Sequence, residues 1–256
     1  MLFLEHENLS DFYLTCWQRN RSKLPLLLIR TLVFIGCVAT LISGIIIMTR
    51  DISIGHWFIF MTHWGLILIT ATSGLALAVS LVSYSKRSRD SDSSLIILVK
   101  LYWMVFNCSI SMAFFISVFY WIMLTEFADL YELDPVLDIF IHGINSVFMF
   151  VLLMSSRHPF RLVHVYLPLV IAIIYMLFSV IYYAAGGLSP FDTVYIYPML
   201  DWSQPGQTII LVLLSAVLII VIHLIVVALT LARNAVTKRC RESSDSVLPI
   251  SQDRYN

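Results

Sequence analysis

Six stretches of this chain are apolar over a length sufficient to cross a bilayer, and no other feature constrains the fold as tightly. A hydrocarbon core of ~30 Å takes about 20 helical residues at 1.5 Å each. Runs that meet this length fall at 26–48, 57–82, 98–124, 136–154, 163–184 and 209–231. They are continuous rather than alternating, which favours helices over strands, and in lipid a helix satisfies its own backbone hydrogen bonds. The fold read from this pattern is all-α: a polytopic membrane protein whose domain, 26–231, is a bundle of six transmembrane helices. An N-terminal segment, 1–25, precedes it, and a polar, Ser-rich tail, 232–256, follows and is expected to be disordered. Composition agrees, with 59% hydrophobic residues, 12% charged and a mean hydropathy of +0.87.

Sixteen Lys and Arg balance sixteen Asp and Glu, so no net basic field exists to hold nucleic acid, and no nucleic-acid partner is expected. The bases are nonetheless unevenly placed. Arg19, Arg21, Lys23 and Arg30, then Lys86, Arg87, Arg89 and Lys100, then Arg157 and Arg161, then Arg233, Lys238, Arg239, Arg241 and Arg254 all fall on one side. Arg50 alone falls on the other. Because positive flanks are retained in the cytoplasm, both termini are expected to be cytoplasmic. The opposite loops agree: 125–135 carries Glu126, Asp129, Glu132 and Asp134 without a base, and 185–208 carries only Asp192 and Asp201. The sequons at Asn8 and Asn20 would then face the cytosol and stay unmodified. The first 25 residues lack the short apolar core of a secretory signal, so insertion is expected to rely on the first span.

The cysteines, Cys16, Cys37, Cys108 and Cys240, have no C-x-x-C spacing and indicate neither a disulfide framework nor a zinc knuckle. Cys16 beside Trp17 and Cys240 among basic residues are candidate palmitoylation sites. Arg157, His158, Arg161 and His164 make a short basic turn suited to anchoring on anionic lipid. The last outer loop, Gly186 to Gln207, combines Gly186, Gly187, Pro190, Pro198, Pro205 and Gly206 with Tyr195, Tyr197, Asp201 and Trp202. Its aromatics fit either an ordered cap over the outer face or an interfacial anchor.

Polar side chains inside spans are costly, and each is a functional candidate. The second span reads FMTHWG near its outer end, and the fourth reads LDIFIHGINSV, so Thr62 and His142 are expected at similar depth below the outer boundary. Asp138, His142 and Asn145 share one helical face. A hydroxyl beside an imidazole is the minimum for nucleophilic acyl transfer, with Thr62 as nucleophile, His142 as base, and Asp138 or Asn145 orienting the ring or supporting an oxyanion. Buried Thr and His also hold helices together, which is the competing reading. His56, His63, His142 and Asp138 leave a metal reading open, but no ligand signature accompanies them, and no metal or cofactor is expected. His223 and Asn107 read as hydrogen-bonded packing residues, and Gly65, Gly74 and the stretch Ala184 to Gly187 as close-approach or capping positions. Polar groups cluster near one side rather than lining a path across, so a channel is the poorer reading.

FMTHWG, IHGINSVFMF, RHPFRLVHVYLP, FSVIYYAAGG and VYIYPMLDWSQPG, spread over about 25–232, resemble the rolling stone proteins. That resemblance implies a multipass plasma-membrane protein with a part in cell–cell fusion, specifically myoblast fusion, or development, through a membrane partner protein that the sequence does not name. More distantly, Thr62, His142 followed by Gly143, and Tyr197-Pro198 are similar to motifs of the androgen-induced hydrolases. Those enzymes cleave fatty acid esters of hydroxy fatty acids with an intramembrane threonine and histidine. This likeness implies a lipid-ester substrate drawn from the bilayer. Ile141 stands where an asparagine precedes the histidine of that family.

Overall fold

The computed structural model describes residues 4–18, 22–85, 93–125 and 134–247, with the backbone alone for 240–247. Arg19, Asn20, Arg21, Lys86, Arg87, Arg89, Glu126, Asp129, Glu132 and Arg254, and the side chain of Cys240, lie outside the described residues. Among the described residues the chain is helical, with one isolated bridge, Thr15 to Ser156. The helices are α1 (Leu24–Met48), α2 (Ile54–Trp57), α3 (Met61–Ser85), α4 (Ser93–Phe119), α5 (Pro135–Ile139), α6 (Asn145–Ser155), α7 (Tyr166–Ala184) and α8 (Pro205–Val247). Among the described residues six continuous helical stretches are long and apolar enough to cross a membrane: Leu24–Met48, Met61–Ser85, Ser93–Leu124, Pro135–Ser155, Leu162–Ala184 and Pro205–Arg239.

The third span begins at Ser93 rather than 98, the second ends at Ser85 rather than 82 and the sixth begins at Pro205 rather than 209, and two further differences have a local cause. The second span starts at Met61 rather than 57, because Phe58 to Phe60 form an irregular turn after α2. The last helix continues past 231 to Val247, into the stretch expected to be disordered. That stretch is polar, but it holds neither Gly nor Pro before Pro249, so nothing in it breaks the helix.

α4 is the central helix, packed on α3, α6, α7 and α8, while α1 packs on the far side of α3. α7 ends in two hydrogen bonds, from Gly186 N–H to the Tyr183 carbonyl (3.0 Å) and from Gly187 N–H to the Tyr182 carbonyl (2.9 Å). With Gly186 at φ 77° this is a Schellman motif, which turns the chain out of the helix into the 185–204 loop.

The N-terminal segment is part of the packed structure. Phe12 is buried, with its ring stacked on His158 (5.2 Å, 8°) and edge-on to Trp103 (5.3 Å). Arg157 donates to the carbonyls of Thr15 and Gln18, each at 2.8 Å, and Arg161 donates to that of Glu5 and lies over the Trp103 ring. His158 and His164 are fully buried. The turn expected to anchor on lipid therefore fastens the N-terminal segment, because its cations are occupied by backbone carbonyls. Cys16 is likewise buried, its thiol donating to the Met154 carbonyl, so an acylating enzyme does not reach it in this arrangement. Arg30, read as a span-end cation, is wholly buried, donating to the Ala76 carbonyl (2.9 Å), Ser80 (2.9 Å) and Tyr102 (3.4 Å). The Tyr102 hydroxyl also meets His158 Nε2 at 3.0 Å. Arg233 closes this end of the bundle by donating to the carbonyls of Leu153 (2.6 Å) and His158 (3.1 Å).

Candidate functional site

At the opposite end of the bundle the site is built on the turn between α2 and α3. Non-helical backbone at membrane depth survives only where its polar groups find partners. Here side chains supply them. The Trp57 carbonyl accepts from His63 Nδ1, that of Phe58 from Trp64 Nε1 (2.8 Å), and that of Ile59 from the Tyr175 hydroxyl (2.8 Å). The Met61 N–H, free at the helix start, donates to the Tyr197 hydroxyl at 2.9 Å. Tyr197 also shares a hydrogen bond with the Thr62 side chain, and burial of its phenol raises its pKa above the ordinary value. Thr62 is thus the second residue of α3, held where helix and loop meet, instead of lying a full turn inside a helix begun at Trp57.

His142 arrives on a different local structure. Asp134 caps α5 by accepting from the N–H groups of Val136 (3.0 Å) and Leu137 (2.9 Å), and Pro135 opens the helix. The fourth span then widens into a π-helical segment, Phe140–Ile144, before resuming as α6. α4 does the same at its end, where Tyr120–Leu124 is π-helical. One residue is added per turn in each, a device often found at functional sites. The carbonyl of His142 accepts from Ser117 (2.5 Å), tying the widened segment of the fourth span to α4 just before α4 itself widens. His142 Nδ1 meets Asp138 Oδ1 at 2.7 Å, and the imidazole lies flat on the Tyr120 ring, with centroids 3.5 Å apart. An Asp on Nδ1 fixes the tautomer with the proton there, which leaves Nε2 as the basic atom.

Thr62 and His142 both line a chamber of about 70 Å³, together with His63, Tyr120 and Tyr197. Pro190 and Phe191 of the 185–204 loop complete its wall. A larger cavity of about 350 Å³ adjoins it, sharing Thr62, Tyr120, Leu124 and Tyr197, and is otherwise lined mostly by apolar side chains of α4, α7 and α8. The loop is ordered over this end. Ile196 is buried against Ile59 and Phe60, and a turn with Pro198 at its second position closes with Leu200 N–H donating to the Tyr197 carbonyl (2.8 Å). Trp202 Nε1 donates to Ser179 (3.1 Å), and Asp201 accepts from Ser203 N–H (2.9 Å) and, through its carbonyl, from Thr208 (2.5 Å). The Tyr195 carbonyl accepts from Thr193 at 2.9 Å.

The structure therefore brings Thr62, His142, Asp138 and Tyr197 to one place. No hydrogen bond joins Thr62 to His142 directly among the described residues. Asn145 is not part of the chamber: its amide donates to the Ile141 carbonyl of its own helix at 2.5 Å. His63 forms chamber wall instead of free ligand, stacked on Trp57 (4.1 Å) with Nε2 at 3.2 Å from Met48 Sδ. Among the described residues no three His, Cys, Asp or Glu side chains converge on a metal position. His223 bonds to Ser111 (3.1 Å) and to the Arg161 carbonyl (3.2 Å), and Asn107 to the Trp103 carbonyl (2.6 Å). Sequence reasoning missed Tyr120 and Tyr175, whose only signal was a hydroxyl-bearing ring within an apolar span.

Six helices of membrane-crossing length among the described residues, with a small chamber and a larger apolar cavity under an ordered loop at one end, define a multipass integral membrane protein. The chain belongs to the rolling stone family. The family model described as Protein rolling stone matches residues 3–244. The chain is 30% identical over 211 residues to Protein rolling stone of Drosophila melanogaster, a similarity covering 78% of this chain and 74% of that protein. No solved structure matches.

Proposed function

We propose that the chain acts at the plasma membrane in cell–cell fusion, as in myoblast fusion, or in related developmental remodelling, with the Arg30 and Arg233 end of the bundle and both termini in the cytoplasm. The family match over nearly the whole chain supports the first part, and the one-sided placement of its bases supports the second. The 185–204 loop then faces the neighbouring cell and is the surface open to a membrane partner protein. Depletion from fusing cells, with rescue by wild type, by Thr62→Ala and by Tyr195→Ala/Trp202→Ala, tests this. Rescue by Thr62→Ala but not by the loop variant is the result expected of a contact protein. Undiminished fusion on depletion sinks the reading.

A second reading is favoured by one observation: Asp138 holds Nδ1 of a histidine that shares a chamber with Thr62. Such a set suits ester cleavage in the bilayer. Thr62 turns from Tyr197 toward His142, Nε2 takes the hydroxyl proton, and the threonine oxygen attacks the acyl carbonyl. The ester C–O bond breaks, and the leaving alkoxide takes the proton from the imidazolium. Water, deprotonated in turn by His142, attacks the acyl-threonine. The acid leaves, and the proton returns to Thr62. The test is labelling of the folded, solubilised protein by a fluorophosphonate probe. Labelling lost in both Thr62→Ala and His142→Ala is expected, whereas labelling indifferent to both returns these residues to a packing role.

A further inference from the structure

The larger cavity has a direction. Along α8 its wall runs from Leu211 to Ile220, which places it about 9 to 22 Å below Pro205, the start of that helix, at 1.5 Å per residue. Its shallow end is where Thr62, Tyr120 and Tyr197 stand, and from there inward the lining is hydrocarbon apart from Tyr175 and Ser215. A lipid in the leaflet at the loop end of the bundle has the same layout, with its polar group at the interface and its chain toward the midplane, half of a ~30 Å core away.

The cavity also has a door. Ile173 of α7 and Ile220 of α8 belong to its wall yet are 52% and 39% exposed, so they stand at the bundle surface where lipid lies. Ala172, Ser215 and Ala216 of the same two helices also belong to the wall, and their small side chains put little bulk at the seam between α7 and α8. The wall on the protein side is closed, with Ile219 fully buried and Phe115 and Tyr175 nearly so.

The chamber at the head of the cavity selects by charge. Among the described residues no Lys or Arg lines either space, and Asp138 stands behind His142. A carboxylate or phosphate entering there would lose its water without gaining a cation. Hydroxyls and an imidazole suit an uncharged ester or alcohol.

We propose that the cavity is a binding site for one acyl chain of a neutral, single-chain lipid ester, which enters sideways from the bilayer between α7 and α8 and seats its ester at Thr62. This deepens the hydrolase reading by naming its substrate class, and it rests on that reading for the ester's role, while the binding itself is tested apart from turnover. The full chain is reconstituted in phosphatidylcholine nanodiscs with three alkyne-bearing diazirine probes of one chain length: a monoacylglycerol, the free fatty acid and a lysophosphatidylcholine. Illumination is expected to label peptides covering 169–176 and 211–220 with the monoacylglycerol, competed by excess unlabelled monoacylglycerol and several-fold above the other two probes. Ala216→Trp, which fills the seam, should cut that labelling several-fold. Ala172→Leu does the same with a smaller side chain should the first variant fail to assemble. Equal labelling by all three probes, labelling that excess lipid does not compete, or labelling unchanged by the seam variants overturns the proposal. Competed labelling in a protein inert to fluorophosphonate removes the hydrolytic reading and leaves the binding site standing.

Discussion

The imidazole of His142 lies on the phenol ring of Tyr120, with planes within 2° and centroids 3.5 Å apart, and each ring sits in a π-helical turn. Neither helix would present its ring this way at the ordinary α pitch, because the added residue in each turn shifts the register of everything beyond it. The two distortions are therefore one feature made by two helices. Tyr120→Phe should keep the stack and the stability of the wild type within about 1 kcal/mol. Tyr120→Ala should cost on the order of 3 kcal/mol, since the ring is buried and its loss leaves a void beside the imidazole. Thermal unfolding of the two variants in one detergent checks the difference.

Asp138 acts through His142. Asp138→Asn preserves size but removes the charge that holds the proton on Nδ1, so the imidazole is free to present N–H instead of a lone pair to the chamber. If Thr62 is activated there, fluorophosphonate labelling should fall by on the order of 10²-fold in Asp138→Asn with unfolding temperature little changed. Labelling equal to wild type would remove Asp138 from the chemistry.

At the other end of the bundle, burial foremost, and then the guanidiniums of Arg233 and Arg30, hold the pKa of His158 well below its ordinary 6.5. His158 is thus neutral in the folded protein and accepts the Tyr102 hydroxyl. Once pH falls below the unfolded value of 6.5, the unfolded chain gains a proton that the native state refuses, so stability is complete above that pH and declines below it. Unfolding temperature measured from pH 8 to pH 5 should drop for wild type and drop less for His158→Gln. An identical profile in the two would assign the pH response to other groups.

Gly186 isolates the cost of a left-handed residue. Its φ is 77°, and a Cβ placed there meets nothing within 4 Å, so Gly186→Ala adds backbone strain without a clash. The expected loss is about 1 kcal/mol, read by thermal unfolding. A neutral result would mean that the α7 end and its loop relax together.

Hydropathy made the six spans legible because lipid leaves a chain no alternative to helices, and each span was placed to within a few residues at most ends. It misplaced the start of the second span for a local reason. Phe58 to Phe60 are as apolar as a helix, and the turn they form instead has its carbonyls, with that of Trp57, held by hydroxyl, indole and imidazole donors that the sequence brings from elsewhere. The π-helical turns were hidden likewise, since Tyr120 to Leu124 and Phe140 to Ile144 read as α by composition and pattern alike. The convergence of Thr62 with His142 was legible as equal depth, whereas Asn145, on the right face by spacing, turned its amide onto its own helix. The packing of the N-terminal segment was not legible because its partners, Arg157 and His158, lie more than a hundred residues away, beyond any local pattern.

The turn at 58–60 also orders events during synthesis. Its Ile59 carbonyl waits for Tyr175, 116 residues later, and the Met61 amide for Tyr197, 136 residues later. A nascent chain that has inserted only its first two spans holds these groups open at the membrane surface, where water or the insertion machinery must shelter them. The entrance to the second span is therefore among the last parts of the protein to mature. A ribosome stalled before residue 197 carries a bundle whose chamber has no roof, and quality control that senses exposed backbone would find it there.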